Sequence, residues 1–242
     1  MRTIKTVHVG PVDTNCYLVC NPETQQIVII DPGADPDSIR AEIRETGMLP
    51  AAILLTHGHF DHIGAVKELV LVYDVPVVAP KAEEAFLSDF DKILPPQFQE
   101  MLPNVSYNIH VDKWAEHEEL IEYAGFPITC LATPGHTEGG MCYFFPTERI
   151  LFSGDTLFME SIGRTDLPTG DAKVLIASIR EQLYRLPDST LVFPGHGPAT
   201  NIEYEKRYNM YTWEKGQTKA AMSSLSRKKD AKKSTGVDGV KD

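Results

Sequence analysis

The chain has 242 residues, 42% of them apolar, enough to bury a substantial core in one domain or two small ones. A net charge of −11 disfavours a nucleic-acid surface, and no stretch approaches the ~20 apolar residues of a membrane span, so neither nucleic acid nor a membrane is expected as a partner. The charge is uneven: from Lys215 onward eight Lys/Arg face three Asp/Glu, leaving −16 for residues 1–214. Met1 to Thr6 lead into no apolar run of signal-peptide type, and Cys16, Cys20, Cys130 and Cys142 form no CxxC pair. Both observations predict a soluble, cytoplasmic protein whose thiols are small buried hydrophobes.

In chain order, Cys16 to Val19 and Ile27 to Ile30 are predicted strands of a meander, joined by the turn Asn21-Pro22-Glu23-Thr24 and closed by Asp31-Pro32-Gly33. Pro36-Asp37-Ser38 opens a helix running to about Thr46, where Gly47 stops it. Ala51 to Thr56 is a buried strand, Ile63 to Tyr73 a helix with Ile63, Val66, Leu69 and Val70 on one face, and Pro76 to Ala79 a strand followed by a helix near Lys81 to Asp89. Residues 91–112, with Pro95, Pro96 and Pro103, read as an irregular surface excursion, either a connector or a cover for substrate. Strands follow near 118–123, 127–132, 141–145, 149–153 and 190–193, with a helix from about Ala172 to Arg185. Tyr204, Tyr208 and Tyr211 are spaced to share one helix face. From Gly216 the chain lacks aromatics, and residues 215–242 read as a flexible basic tail.

Chemistry concentrates in Thr56-His57-Gly58-His59-Phe60-Asp61-His62, directly after an apolar strand. In an extended segment alternate side chains share a face, so His57 and His59 can reach one metal ion. Asp61 and His62, if the chain turns into a helix there, can point to a second position. Further candidates follow other short β-rich runs: His136 in Thr133-Pro134-Gly135-His136-Thr137, Asp155 in Phe152-Ser153-Gly154-Asp155-Thr156, and His196 in Pro194-Gly195-His196-Gly197. Ligands on loops at strand ends, with a rigid sheet behind them, are a common way to fix a metal site.

His-x-His-x-Asp-His with a distant His, Asp and His resembles the metallo-β-lactamase superfamily. Ser153-Gly154-Asp155-Thr156-Leu157-Phe158, Gly163-Arg164-Thr165-Asp166 and Pro194-Gly195-His196-Gly197 are similar to the glyoxalase II-like hydrolases, in the short bacterial branch without the large C-terminal helical domain. The likeness covers roughly residues 1 to 210, so residues 1–214 are expected to form the catalytic domain. It implies a four-layered αββα sandwich of α/β class. It also implies that His57, His59 and His136 hold a first metal, that Asp61, His62 and His196 hold a second, and that Asp155 bridges both. The expected cofactors are two divalent ions, zinc in the first place, with iron or manganese also suited to nitrogen and carboxylate donors.

The expected reaction is hydrolysis of a small-molecule thioester, such as an S-(2-hydroxyacyl)glutathione or a related acyl-thiol, by hydroxide bridging the two ions. Asp61 and Asp155 are the catalytic carboxylates, and Asp61 is placed to orient or deprotonate the nucleophile. Arg164 is the candidate substrate contact, its alternative being an ion pair with Asp166. Since only 46 residues follow His196, a complete glutathione site is not expected, and another thiol carrier stays open. Competing readings are a mononuclear iron persulfide dioxygenase, a lactonase or β-lactamase of the same fold, and a non-catalytic binding protein.

Overall fold

A computed structural model of the chain describes residues 3–88 and 109–213. Most of the 91–112 excursion and all of the 215–242 tail lie outside the described residues; of the excursion, Ile109 and Val111 are buried against the core.

The first half runs β1 (Thr3–Val9), β2 (Thr14–Asn21), β3 (Gln26–Ile30), α1 (Pro36–Thr46), β4 (Leu49–Leu54), α2 (Phe60–Ile63), α3 (Val66–Tyr73), β5 (Val77–Pro80), α4 (Glu84–Ser88) and β6 (Lys113–Ala115). Its six strands form one sheet in sequence order. β1, β2 and β3 pair antiparallel, and β3 to β6 pair parallel. The second half runs β7 (Leu120–Tyr123), β8 (Phe126–Ala132), β9 (Met141–Phe145), β10 (Ile150–Gly154), a hairpin of β11 (Leu157–Phe158) and β12 (Ser161–Ile162), α5 (Ala172–Glu181), β13 (Leu191–Pro194), β14 (Thr200–Asn201) and α6 (Ile202–Tyr208). The second sheet has the order β14-β13-β10-β9-β8-β7, with β10 and β13 parallel.

Side-chain alternation turns these sheets into four layers. On β2, Cys16, Leu18 and Cys20 face outward and pack with Ile39 and Ile43 of α1 and Val66 and Leu69 of α3. Tyr17 and Val19 on the same strand face inward and meet Phe126, Ile128, Tyr143, Phe145 and Phe152 of the second sheet. The outer face of that sheet, through Leu131, Cys142, Leu151 and Val192, packs on Leu175 and Ile179 of α5. The result is the expected αββα sandwich, its two central sheets joined by an aromatic layer in which Phe145 and Phe152 lie 5.4 Å apart edge to face. All four cysteines are buried free thiols, as composition suggests.

Several elements differ from the sequence reading. β1 and the three-residue β6 are additional strands; β1 is an edge strand on which only Val7 and Val9 are buried, so its pattern is weak. The helix expected over Ile63 to Tyr73 is two helices, α2 and α3. At the break, a Cβ on Gly64 would lie 2.3 Å from the Gly33 carbonyl oxygen, so the two backbones meet where only glycine fits. The helix near Lys81 begins as a 3-10 turn (Lys81–Glu83), and the one from Ala172 ends at Glu181 before a second such turn (Leu183–Arg185). Tyr204 and Tyr208 stack on α6 with centroids 4.7 Å apart, whereas Tyr211 lies beyond the helix and is exposed.

Candidate metal centre

The candidate ligands sit where strands end on one rim of the sandwich. β4 leads into His57 and His59, and α2 carries Asp61 and His62 in its single turn. β8, β10 and β13 lead into His136, Asp155 and His196. All seven residues named from the sequence converge, in groups whose ligand atoms lie within 4.8 Å of one another: His57/His59/His136, Asp61/His62/His196 and His57/His62/Asp155.

In the first group His59 Nδ1 lies 3.0 Å from His57 Nε2 and 2.9 Å from His136 Nε2. In the second, Asp61 Oδ2 lies 3.5 Å from His62 Nε2 and 3.2 Å from His196 Nε2. Asp155 stands between them: Oδ2 is 3.5 Å from His136 Nε2 and 3.6 Å from His196 Nε2, and Oδ1 is 3.5 Å from His62 Nε2. The centre opens to solvent on one side, where the His196 side chain is 28% exposed.

Hydrogen bonds behind the imidazoles fix which nitrogen faces inward. The Thr56 hydroxyl donates to Asp31 Oδ2 at 2.6 Å and so accepts from His57 Nδ1 at 3.0 Å. His62 Nδ1 donates to the same Asp31 oxygen at 3.0 Å, while Asp31 Oδ1 takes the Thr56 amide. His136 Nδ1 donates to the Arg164 carbonyl at 2.7 Å, and His196 Nδ1 to the Val12 carbonyl at 3.2 Å. Four rings are thereby held with Nε2 pointing inward, while His59 faces in through Nδ1; a hydrogen bond on the far nitrogen is what orients a metal-binding histidine. Asp31 was not singled out in the sequence; the available signal was an acidic residue ending a fully apolar strand, Ile27 to Ile30.

The loop carrying His196 is also gripped from the start of the chain. The Asn15 amide donates to the Gly195 carbonyl at 2.7 Å, the Asn15 side chain to the Pro194 and Gly197 carbonyls at 3.0 and 2.9 Å, and the Tyr17 hydroxyl to Pro194 at 2.6 Å. Close packing demands glycine beneath the centre: a Cβ on Gly195 would fall 2.2 Å from Asp155 Oδ1 and 2.7 Å from His62 Cε1.

A metal fits this set on the structure's own terms. His62 Nε2 and Asp155 Oδ1 are buried and have no hydrogen-bond partner. Buried polar atoms left unpaired are costly, and a cation between them satisfies both. Burial, reinforced by neighbouring imidazoles, pushes the proton affinity of His57 well below the ordinary histidine value and that of His59 down to about 3, leaving neutral donors. Around the second group the balance reverses. Burial works against a charge on His62, but Asp61, Asp155 and Asp31 outweigh it and raise its pKa to about 10. His196 is raised in the same way, chiefly by Asp61 against the effect of burial. Burial also opposes ionisation of Asp61, yet His62 and His196 hold its carboxyl below the usual range.

Arg164 lies at the rim with its guanidinium on Asp166 through two hydrogen bonds of 2.8 and 2.9 Å, the ion-pair arrangement of the two foreseen. Its backbone carbonyl, not its side chain, supports His136.

Known proteins resemble this chain in sequence and in fold. The model of the metallo-beta-lactamase superfamily matches residues 9–196. Hydroxyacylglutathione hydrolase GloC of Haemophilus influenzae is 36% identical over 210 residues, covering 86% of this chain and 97% of its own. Among solved structures, the BLEG-1 B3 metallo-beta-lactamase is 36% identical with a TM-score of 0.81, covering 88% of this chain and 100% of that one. TTHA1623 in a di-iron-bound form is 36% identical with a TM-score of 0.75, covering 86% and 99%. With a histidine and aspartate cluster that fits metal at the rim of two stacked sheets, the chain belongs to the metallo-beta-lactamase superfamily and is a metallo-hydrolase.

Proposed function

We propose that the protein is a dinuclear hydrolase of a small thioester, of the class of S-(2-hydroxyacyl)glutathione or a related acyl-thiol. The observation that carries the dinuclear reading is Asp155, whose oxygens face His136 on one side and His62 and His196 on the other at 3.5–3.6 Å. Two bound divalent ions supply a water of lowered pKa and a Lewis acid for the carbonyl. His57, His59 and His136 would hold one ion, Asp61, His62 and His196 the other, with Asp155 between them. Asp61, whose Oδ2 accepts from the Thr14 hydroxyl at 3.1 Å, is oriented to steer or deprotonate the attacking water. Arg164 can meet an anionic group of the substrate by exchanging Asp166 for it.

A cysteine nucleophile is disfavoured, because burial pushes the Cys130 thiol up to about 12 and the Cys142 thiol up to about 11. The thioester class is supported by the likeness to GloC and by chemistry: a thiolate leaving group with a pKa of about 8.5 needs no strong acid. Zinc is the proposed metal; the di-iron form of TTHA1623 keeps iron as the second choice, and manganese suits the same donors. Residues 1–214 as the catalytic domain, 215–242 as a basic tail and a reducing cytoplasmic setting complete the proposal.

Metal content and S-lactoylglutathione hydrolysis, measured on one preparation, test this reading. About two metals per chain, with turnover falling to background in Asp155→Ala, is the expected result. One iron per chain, no hydrolysis and oxygen uptake with glutathione persulfide would overturn it in favour of a dioxygenase. Turnover of β-lactams but not thioesters would overturn it in favour of the activity named for BLEG-1.

A further inference from the structure

One buried carboxylate stands against the metal loops and hydrogen-bonds to their backbone. Glu83 ends the 3-10 turn after β5 and is 2% exposed. Its Oε2 accepts from the Gly58 amide at 3.1 Å, and its Oε1 accepts from the Gly139 amide at 3.0 Å. Gly58 separates His57 from His59, and Gly139 lies three positions after His136. A single side chain thus spans the gap between the loop of the first sheet and a loop of the second. These are the two segments that carry the three imidazoles of the first group.

The fit leaves no slack. A Cβ on Gly58 would lie 2.9 Å from Glu83 Oε2, and one on Gly139 would lie 2.6 Å from its Cγ and 2.7 Å from its Oε1. Glycine at both positions is what admits the carboxylate. The two amides reach different oxygens of the side chain, and a carboxylate offers both as acceptors where a carboxamide offers one. A carboxylate buried this deeply is costly unless such donors surround it, so its placement has to be matched by a structural gain.

We propose that Glu83 is a positioning residue for the three-histidine metal position: it sets the distance between the His57–His59 loop and the His136 loop, and leaves the Asp61/His62/His196 position untouched. This rests on the dinuclear reading above. General experience with groups that orient metal ligands puts the loss at about 10- to 100-fold in metal affinity when one is removed.

The test is a zinc titration of the metal-free full chain, wild type against Glu83→Gln, in competition with a chelator and followed by the imidazole ¹⁵N resonances that report which rings have bound metal. Expected is a loss of about 10- to 100-fold at His57, His59 and His136, with His62 and His196 filling as in the wild type to within about threefold. Equal weakening at both sets of rings, or no weakening in a variant with a native circular dichroism spectrum, overturns the proposal. Should Glu83→Gln fail to fold, Gly139→Ala keeps the carboxylate but crowds it, and must give the same ordering. A wild type that takes up only one zinc sinks the dinuclear reading, while Glu83 is still judged by the response of the three rings.

Discussion

The two groups of candidate ligands differ in how they stand without metal. His57 and His59 are held neutral by burial and by neighbouring imidazoles, so each keeps a lone pair free for a cation. His62 keeps its proton among carboxylates and the same carboxylates push His196 upward, so that positive charge already sits in the region a second ion would take. Equal geometry therefore does not mean equal affinity. An ion at the first position would displace no proton, whereas one at the second would have to expel the proton of His62.

Substitutions can sharpen or break that contrast. The largest effect is expected from Gly195→Ala, whose new Cβ drives into Asp155 and His62. Displacement by about 1 Å at such a centre costs on the order of a hundredfold in turnover, and metal should be lost first from the His62 side. Asp31→Asn comes next. Asp31 orients His62 directly and His57 through Thr56, so both positions should weaken by about 10- to 100-fold together; a selective loss would break the picture of one shared support. Acidity acts more gradually. His62 keeps its proton up to about pH 10, above the ordinary 6.5, and metal must expel it. Binding at the second position should therefore tighten by about tenfold per pH unit as pH rises toward 10, with the first position almost flat above neutrality, as calorimetry in buffers of different ionisation heats can read. Smallest is Arg164→Ala. Its ion pair is exposed, so KM should change by about fivefold or less and metal content not at all.

All seven candidate ligands were legible in the sequence because histidine and aspartate advertise their chemistry, and because each follows an apolar run that reads as a strand. The αββα layering was reachable through the resemblance those motifs carry. What escaped depends on partners far along the chain. Asp31 reads as a turn former until Thr56 and His62 are seen packed on it, and Glu83 reads as one more helix residue until Gly58 and Gly139 point their amides at it. The break between α2 and α3 has the same origin, since periodicity within the segment carries no sign of Gly33 pressing on Gly64.

The grip of residues 12–17 on the His196 loop has a consequence for the order of assembly. Its hydrogen bonds join residues 177 to 184 positions apart, among the longest separations open to the described chain. Contacts of that span close the largest loops and are slow to form. They also become available late as the chain leaves the ribosome, after His57, His59 and His136 have been made. Until residues 194–197 have been made, the second position lacks both His196 and the segment that residues 12–17 hold, whereas His57, His59 and His136 are already present on the nascent chain.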